Sequence, residues 1–416
     1  MLIPVRIYVS YKEDYPVTLA LIGINLIVFV VMLLSGAFIF LPCPGGSSSA
    51  MNAFNTYGLV PKTLEPHAFI THMFIHGGML HFIFNMLFLW LFGKVIESIF
   101  GHQKFLLFYF GGGISAALTH VLICYLTGMG KNVPMIGASG AIAAILGVFV
   151  VRYYFVKIEM KWLFFFRLWT FHLKAWIFLI LCWFVPQLLF GLITLGAAGG
   201  VAYWAHIGGF LFGAVLGLKM NLLKEAKAEL LYLKGQSISC QDGQASRFHL
   251  QESIKASPKN VKPRLQLAQQ NALAGNYDEA AREYVGAFKV LYDSGEIEEA
   301  LKVYETAFNL RQDQLLLPED MEFQIATQCV KYAQYELAYL AFQKLHALRP
   351  EHPKTEDILA KLLSLCSNKL ALYREAYQYF QELQSKFPFS RYIQMLQWEI
   401  GKVRKELGIP AQKTPS

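Results

Sequence analysis

Apolar residues crowd the first half of this chain into six runs and then give way to an amphipathic pattern. The runs cover about residues 17–40, 80–98, 104–127, 135–155, 173–195 and 199–222. Each approaches the ~20 residues a helix needs to cross the hydrocarbon core of a bilayer. The pattern predicts a six-helix transmembrane bundle over residues 1–222. Between the first two runs lies a long loop, 41–79, with GGSSS at 45–49; it reads as a lid, a membrane-embedded structure or a tether. The stretch 156–172, VKIEMKWLFFFRLWTFH, mixes aromatic and basic residues and suits the headgroup layer.

Residues 223–260 read as a junction of mixed helix and linker. From 261 to 416 a helical cadence repeats: small residues, a turn, then an aromatic followed by Glu-Ala. Its markers are Ala280, Ala300, Ala338 and Ala376, spaced by 20, 38 and 38 residues. The longer spacings approach the ~34-residue period of tetratricopeptide repeats, which this region resembles. Such repeats stack into a solenoid with a concave face, which implies a cytosolic protein partner or a substrate tail as ligand. A plain helical bundle without a ligand also fits. The whole chain is thus expected to be all-α.

Composition agrees with a membrane protein. Only 16% of residues are charged and 55% are hydrophobic, against roughly 25% charged in soluble proteins, and mean hydropathy is +0.37. Net charge is +8, which in a soluble protein would raise the question of nucleic acid. Here the basic residues flank the apolar runs, so membrane lipids are the expected surroundings and no nucleic-acid partner is expected. With the N-terminus inside, the inner segments hold Arg6, Lys12, Lys94, Lys104, Arg152, Lys157, Lys161, Arg167, Lys174, Lys219 and Lys224, while the outer loops hold Lys62 and Lys131. That bias predicts two cytoplasmic termini, in a membrane of the bacterial inner type. The start, MLIPVRIYVSYKEDYP, shows no cleavable signal peptide. Six cysteines contain no CxxC pair, so no zinc ribbon or thioredoxin-like site is expected.

Polar side chains inside apolar helices are costly and mark candidate sites. Four stand out: His81, Asn85, Ser139 and His206. His120 also lies in an apolar run, without motif context, and reads as structural. Ser139 sits in Gly137-Ala138-Ser139-Gly140 at the start of the fourth run, where free backbone N–H groups of a helix start could receive an oxyanion. Small residues there would equally serve helix packing. His206 heads a glycine stripe, Gly209, Gly213 and Gly217, which lets a neighbouring backbone approach. If that neighbour is the fourth helix, His206 reaches Ser139 as general base; taken alone it is as well a packing residue. His81 and Asn85, four apart, share a helix face and can both donate to a developing oxyanion. A metal held by His76, His81 and His206 fits poorly, because a five-residue offset leaves one helix face and no acidic ligand accompanies it. No metal or cofactor is expected.

The order HxxxN, GASG, AHxxGxxxG, each in its own apolar run, resembles the rhomboid family of intramembrane serine proteases over about residues 15–222. The resemblance implies a Ser139–His206 dyad without a third carboxylate. It implies that His81 and Asn85 stabilise the oxyanion, and that substrates are transmembrane helices cut in or near the membrane. Two positions depart from the family pattern. His67-Ala68 stands where many members have Trp-Arg, and Ala143 stands where some have a tyrosine beneath the histidine ring, leaving His206 to be held by Trp204 or another aromatic. The alternative reading is a non-catalytic rhomboid-like scaffold that binds transmembrane clients; the intact Ser139 and His206 argue against it. A transporter is disfavoured by the lack of acidic intramembrane residues and of an inverted repeat.

Overall fold

The computed structural model describes residues 2–9, 13–36, 48–164, 167–194 and 203–410. The chain divides into two compact units, Met1–Leu230 and Leu231–Ser416. Both are mainly helical, as the hydrophobic pattern predicts.

In the first unit the helices are α1 (Pro16–Leu34), α2 (Ser48–Tyr57), α3 (Ala68–Thr71), α4 (Met79–Phe100), α5 (His102–Thr127), α6 (Ser139–Tyr153), α7 (Ile177–Ile193), α8 (Tyr203–Lys219) and the first part of α9 (Leu222–Ile238). All six apolar runs contain a helix. Among the described residues, α1, α4 and α5 are long and apolar enough to cross a membrane singly, and α8 qualifies only together with α9, bent from it by 70° at Asn221. The shorter α6 and α7 have a structural reason. At ~1.5 Å per residue, the 15 residues of α6 rise about 22 Å, less than the ~30 Å hydrocarbon layer. A helix of that length can start inside the membrane thickness rather than at its surface.

The unit also holds a sheet that the sequence reading did not foresee. Strands β1 (Leu2–Ile7), β2 (Lys157–Phe164) and β3 (Arg167–Lys174) pair antiparallel in the order β1-β2-β3. The stretch expected as an interfacial segment is therefore a β-hairpin, with its eight pairs running from Lys157–Lys174 to Phe164–Arg167. Its alternation is legible afterwards: Ile158 and Met160 are fully buried, while Lys157 and Lys161 face outward. The abundant aromatic residues had hidden that period.

From Ser48 onward the loop between α1 and α4 is built structure. Gly45–Ser47, the first part of its GGSSS run, lies outside the described residues, and Ser48 and Ser49 begin α2. Leu59 pairs with Met135 across an isolated bridge, and Leu59, Ala68 and Met135 share a buried cluster with Ala116, Ala117 and Ala205. His67 bonds the Thr56 carbonyl at 2.7 Å through Nε2, and Ala68 is buried. These two residues thus fix the loop where the family pattern has Trp-Arg.

Glu97 closes the N-terminal end of α1. Its carboxylate is fully buried and accepts the Val17 and Thr18 N–H groups at 2.7 and 2.6 Å, with His102 Nδ1 at 2.8 Å. It satisfies donors that the first turn of any helix leaves open, at the helix end where negative charge is favoured.

The second unit continues from α9 through α10 (Gly243–Ala256), α11 (Val261–Leu273), α12 (Tyr277–Asp293), α13 (Ile297–Leu310), α14 (Glu319–Lys331), α15 (Tyr335–Leu348), α16 (Thr355–Asn368), α17 (Tyr373–Lys386), α18 (Arg391–Met395) and α19 (Gln397–Glu406). The four marker alanines are each fully buried in the first turn of α12, α13, α15 and α17. Five residues before each stands a residue with positive φ: Gly275, Gly295, Ala333 and Ala371. The repeat unit is thus a left-handed turn followed by a helix whose alanine lets its predecessor pack closely. The irregular spacing of 20 arises because α12 and α13 follow one another directly, whereas an extra helix intervenes before α15 and again before α17.

Candidate active site

Three helices cross backbone to backbone and so create the site. A Cβ at Gly209 would collide with the Gly140 carbonyl oxygen, one at Gly213 with the Ala144 carbonyl, and one at Gly147 with the Phe210 carbonyl. Helix α5 joins them: a Cβ on Gly112 would strike Ala144, and one on Gly140 would lie 2.6 Å from Ala116 Cβ. The glycine stripe of α8 therefore packs on α6, the neighbour that the sequence reading required. This brings His206, one turn before Gly209, over the start of α6. His206 Nε2 lies 2.7 Å from Ser139 Oγ.

Ser139 is the first residue of α6. Its N–H and those of the next residues have no acceptor within the helix. Gly137, two residues earlier, has φ +112°, a conformation side-chain-bearing residues rarely adopt, and its N–H donates to the His72 carbonyl at 2.8 Å. A Cβ at Gly137 would also sit 2.7 Å from the His81 ring. Glycine is required here twice over, by backbone angle and by the close approach of His81.

His81, Asn85, Ser139 and His206 all line one cavity of ≈ 450 Å³. The Gly77 N–H points to His81 Nδ1 at 3.4 Å, which leaves Nε2 as the ring's donor toward Gly137 and the cavity. Asn85 Nδ2 donates to the His81 carbonyl at 2.7 Å. One of its two amide N–H groups is thus engaged with its own helix, and the second remains to serve a substrate. His120, set aside in the sequence reading, also lines the cavity, with its Nε2 3.6 Å from Cys124 Sγ. No motif signalled it, because its place follows from α5 crossing α6.

His206 has a further partner that sequence reasoning missed. Its Nδ1 lies 2.8 Å from Gln187 Oε1 on α7. The ring of Trp183, one turn earlier on α7, lies 6.0 Å from the imidazole. Ala143, fully buried, packs into the α6–α8 crossing, and Trp204 lies against Gly191. The aromatic beside His206 is Trp183, not Trp204.

The fold and the site together describe a membrane-embedded helical bundle with a hydroxyl–imidazole pair at the wall of an internal cavity. Residues 63–221 match the family model of the Rhomboid domain, so the first unit carries a rhomboid domain and the resemblance read from its motifs is borne out. Over 146 residues the chain is 30% identical to presenilin-associated rhomboid-like protein A, mitochondrial, of Danio rerio, covering 34% of each chain. It is 32% identical over 88 residues to rhomboid protease GlpG of Haemophilus influenzae, covering 21% of this chain and 42% of that one. It is 35% identical over 78 residues to rhomboid protease GluP of Bacillus subtilis, covering 19% and 14%. The chain thus matches well under half the length of each of these relatives. Because they include a mitochondrial protein, the bacterial inner membrane expected from the sequence finds no support in them. Among solved structures, yeast Tom70 aligns over 93% of this chain and 70% of its own at 15% identity, with a TM-score of only 0.20.

Proposed function

We propose that the first unit is an intramembrane serine endopeptidase that hydrolyses peptide bonds of transmembrane substrates with Ser139 and His206. The observation that carries this reading is the 2.7 Å contact between His206 Nε2 and Ser139 Oγ at the wall of a cavity. A neutral imidazole at that distance accepts the hydroxyl proton as Oγ attacks the scissile carbonyl. The charge that develops on the carbonyl oxygen meets the Ser139 N–H, the His81 Nε2–H and the second N–H of the Asn85 amide. Protonated His206 then gives its proton to the leaving amine. A water repeats the sequence on the acyl-enzyme and frees Ser139. An apolar wall formed by Phe84, Phe88, Ile142 and Leu146 suits a helix-derived segment rather than a polar one.

In this reading both termini are cytoplasmic, as the basic residues around the apolar runs support, and the helical repeats of residues 261–416 recruit a cytosolic partner or the substrate's tail. The test is cleavage of a tagged single-span substrate by the reconstituted protein beside Ser139→Ala and His206→Ala. Cleavage by the parent alone, with losses of about 10⁴-fold or more in each variant, is expected. A parent that retains the substrate without cutting it would favour the scaffold.

A further inference from the structure

A histidine can act as base toward Ser139 only in one tautomer, with the proton on Nδ1 and the lone pair on Nε2. Nothing on α6 or α8 enforces that choice. Among the described residues the polar partner of Nδ1 is the Gln187 carboxamide oxygen at 2.8 Å, and it comes from α7. An amide oxygen only accepts, so it selects the Nδ1–H tautomer. The reverse orientation of the amide would present NH₂ to Nδ1 and force the proton onto Nε2, the form that cannot take the serine proton.

The contact is part of a helix face. Trp183, Phe184 and Gln187 of α7 all meet α8: Trp183 lies 5.8 Å and Phe184 4.7 Å from the Phe210 ring, and a Cβ on Gly191, one turn further on, would lie 3.4 Å from the Trp204 ring. The opposite side of α7 is open, with Leu181, Leu189, Leu192 and Ile193 all about half exposed or more. Gln187 is absent from the residues that line the cavity, so it stands behind His206 rather than against a substrate.

We propose that Gln187 is a positioning residue for the base, holding His206 by Nδ1 from α7 in the role that a carboxylate plays in a catalytic triad. This rests on the protease reading above. When His206 becomes imidazolium, its Nδ1–H remains donated to Gln187 Oε1, now as a charge-assisted bond. The pairing also ties the base's orientation to the seating of α7 on α8, so a shift of α7 withdraws the partner of Nδ1.

The test compares parent, Gln187→Leu and Gln187→Glu in reconstituted form, using the single-span substrate across pH and the ¹⁵N shifts of the His206 imidazole. Leucine keeps the volume and removes the acceptor. We expect kcat to fall about tenfold, the worth of one neutral hydrogen bond, with KM unchanged and the imidazole becoming a mixture of tautomers. Glutamate puts a carboxylate beside the imidazolium, which favours the charged base, so the acidic limb of the rate profile should move to higher pH. This second variant reads the same contact with an opposite chemistry should leucine disturb folding. Parent-like kcat and pH profiles in both variants, in a protein whose Ser139→Ala is inactive, would overturn the positioning role alone. A parent without Ser139-dependent cleavage would overturn the protease reading and with it the catalytic use of Gln187. An Nε2–H tautomer in the parent would overturn the orienting contact itself.

Discussion

His81 and Asn85 sit one turn apart on α4, yet their side chains start from different states. His81 turns its Nε2 side toward Gly137, whereas the Asn85 amide already gives one of its two N–H groups to the His81 carbonyl at 2.7 Å. Under the proposed mechanism, removing one ready oxyanion donor costs roughly 10²-fold in kcat. Asn85 has only its second N–H for the oxyanion, in a direction set by the first bond, and reorienting the amide would cost about 1 kcal/mol net. His81→Ala should therefore lower kcat more than Asn85→Ala, and steady-state kinetics on one substrate would show the order. Equal losses would mean that the second N–H of Asn85 serves the oxyanion as well as His81 does. This ranking was not legible in the sequence, where the two residues look equivalent. The pairing of HxxxN was legible because a four-residue step places both on one helix face.

Helices meet here through what they lack. Gly209 and Gly213 of α8 each lie against a carbonyl oxygen of α6, with no room for a Cβ. Gly213→Leu, two turns below the hydrogen-bonded pair, should separate α6 from α8 and move His206 away from Ser139. A displacement of ~1 Å can cost about a hundredfold in rate, and thermal unfolding of the variant should also begin earlier. Retained activity would show that the pair does not depend on that crossing. In the second unit the same reasoning runs through backbone angles. Ala333 and Ala371 occupy φ +58° and +54°, where the equivalent turns have glycine at positions 275 and 295. Ala333→Gly and Ala371→Gly should each stabilise the unit by about 1 kcal/mol, measured by chemical denaturation. A loss of stability in both would mean that flexibility of the unfolded chain outweighs the relieved strain. The sequence carried the turn spacing in full, but the positive φ at two alanines had no signature.

Each unit has its own buried core. Leu89, Phe92, Phe105, Phe149 and Leu146 lie in one, and Tyr304, Ile325, Phe342 and Leu362 in the other. Each of these clusters draws its residues from a single unit, so residues 1–230 should fold and cut a generic transmembrane helix without residues 231–416. The proposed recruiting role predicts that this truncation slows cleavage of the native substrate while sparing the generic one; loss of both activities would assign the repeats to stability instead.

The sequence by itself located the apolar runs, singled out His81, Asn85, Ser139 and His206 as candidates, and linked Ser139 to His206 through a family resemblance. Those features are local: run length, a four-residue step, a glycine stripe. It also carried the helical repeats, because burial imposes a period on each helix. What it left open depends on contacts between distant segments. The N-terminal strand pairs with a hairpin some 150 residues away, and neither partner has a hydrophobic period strong enough to announce it. Asn85 is engaged by a backbone carbonyl, an acceptor every residue carries. Gln187 and Trp183 reach His206 only because α7 lies on α8, and helix-on-helix placement is decided by packing, which no single segment encodes.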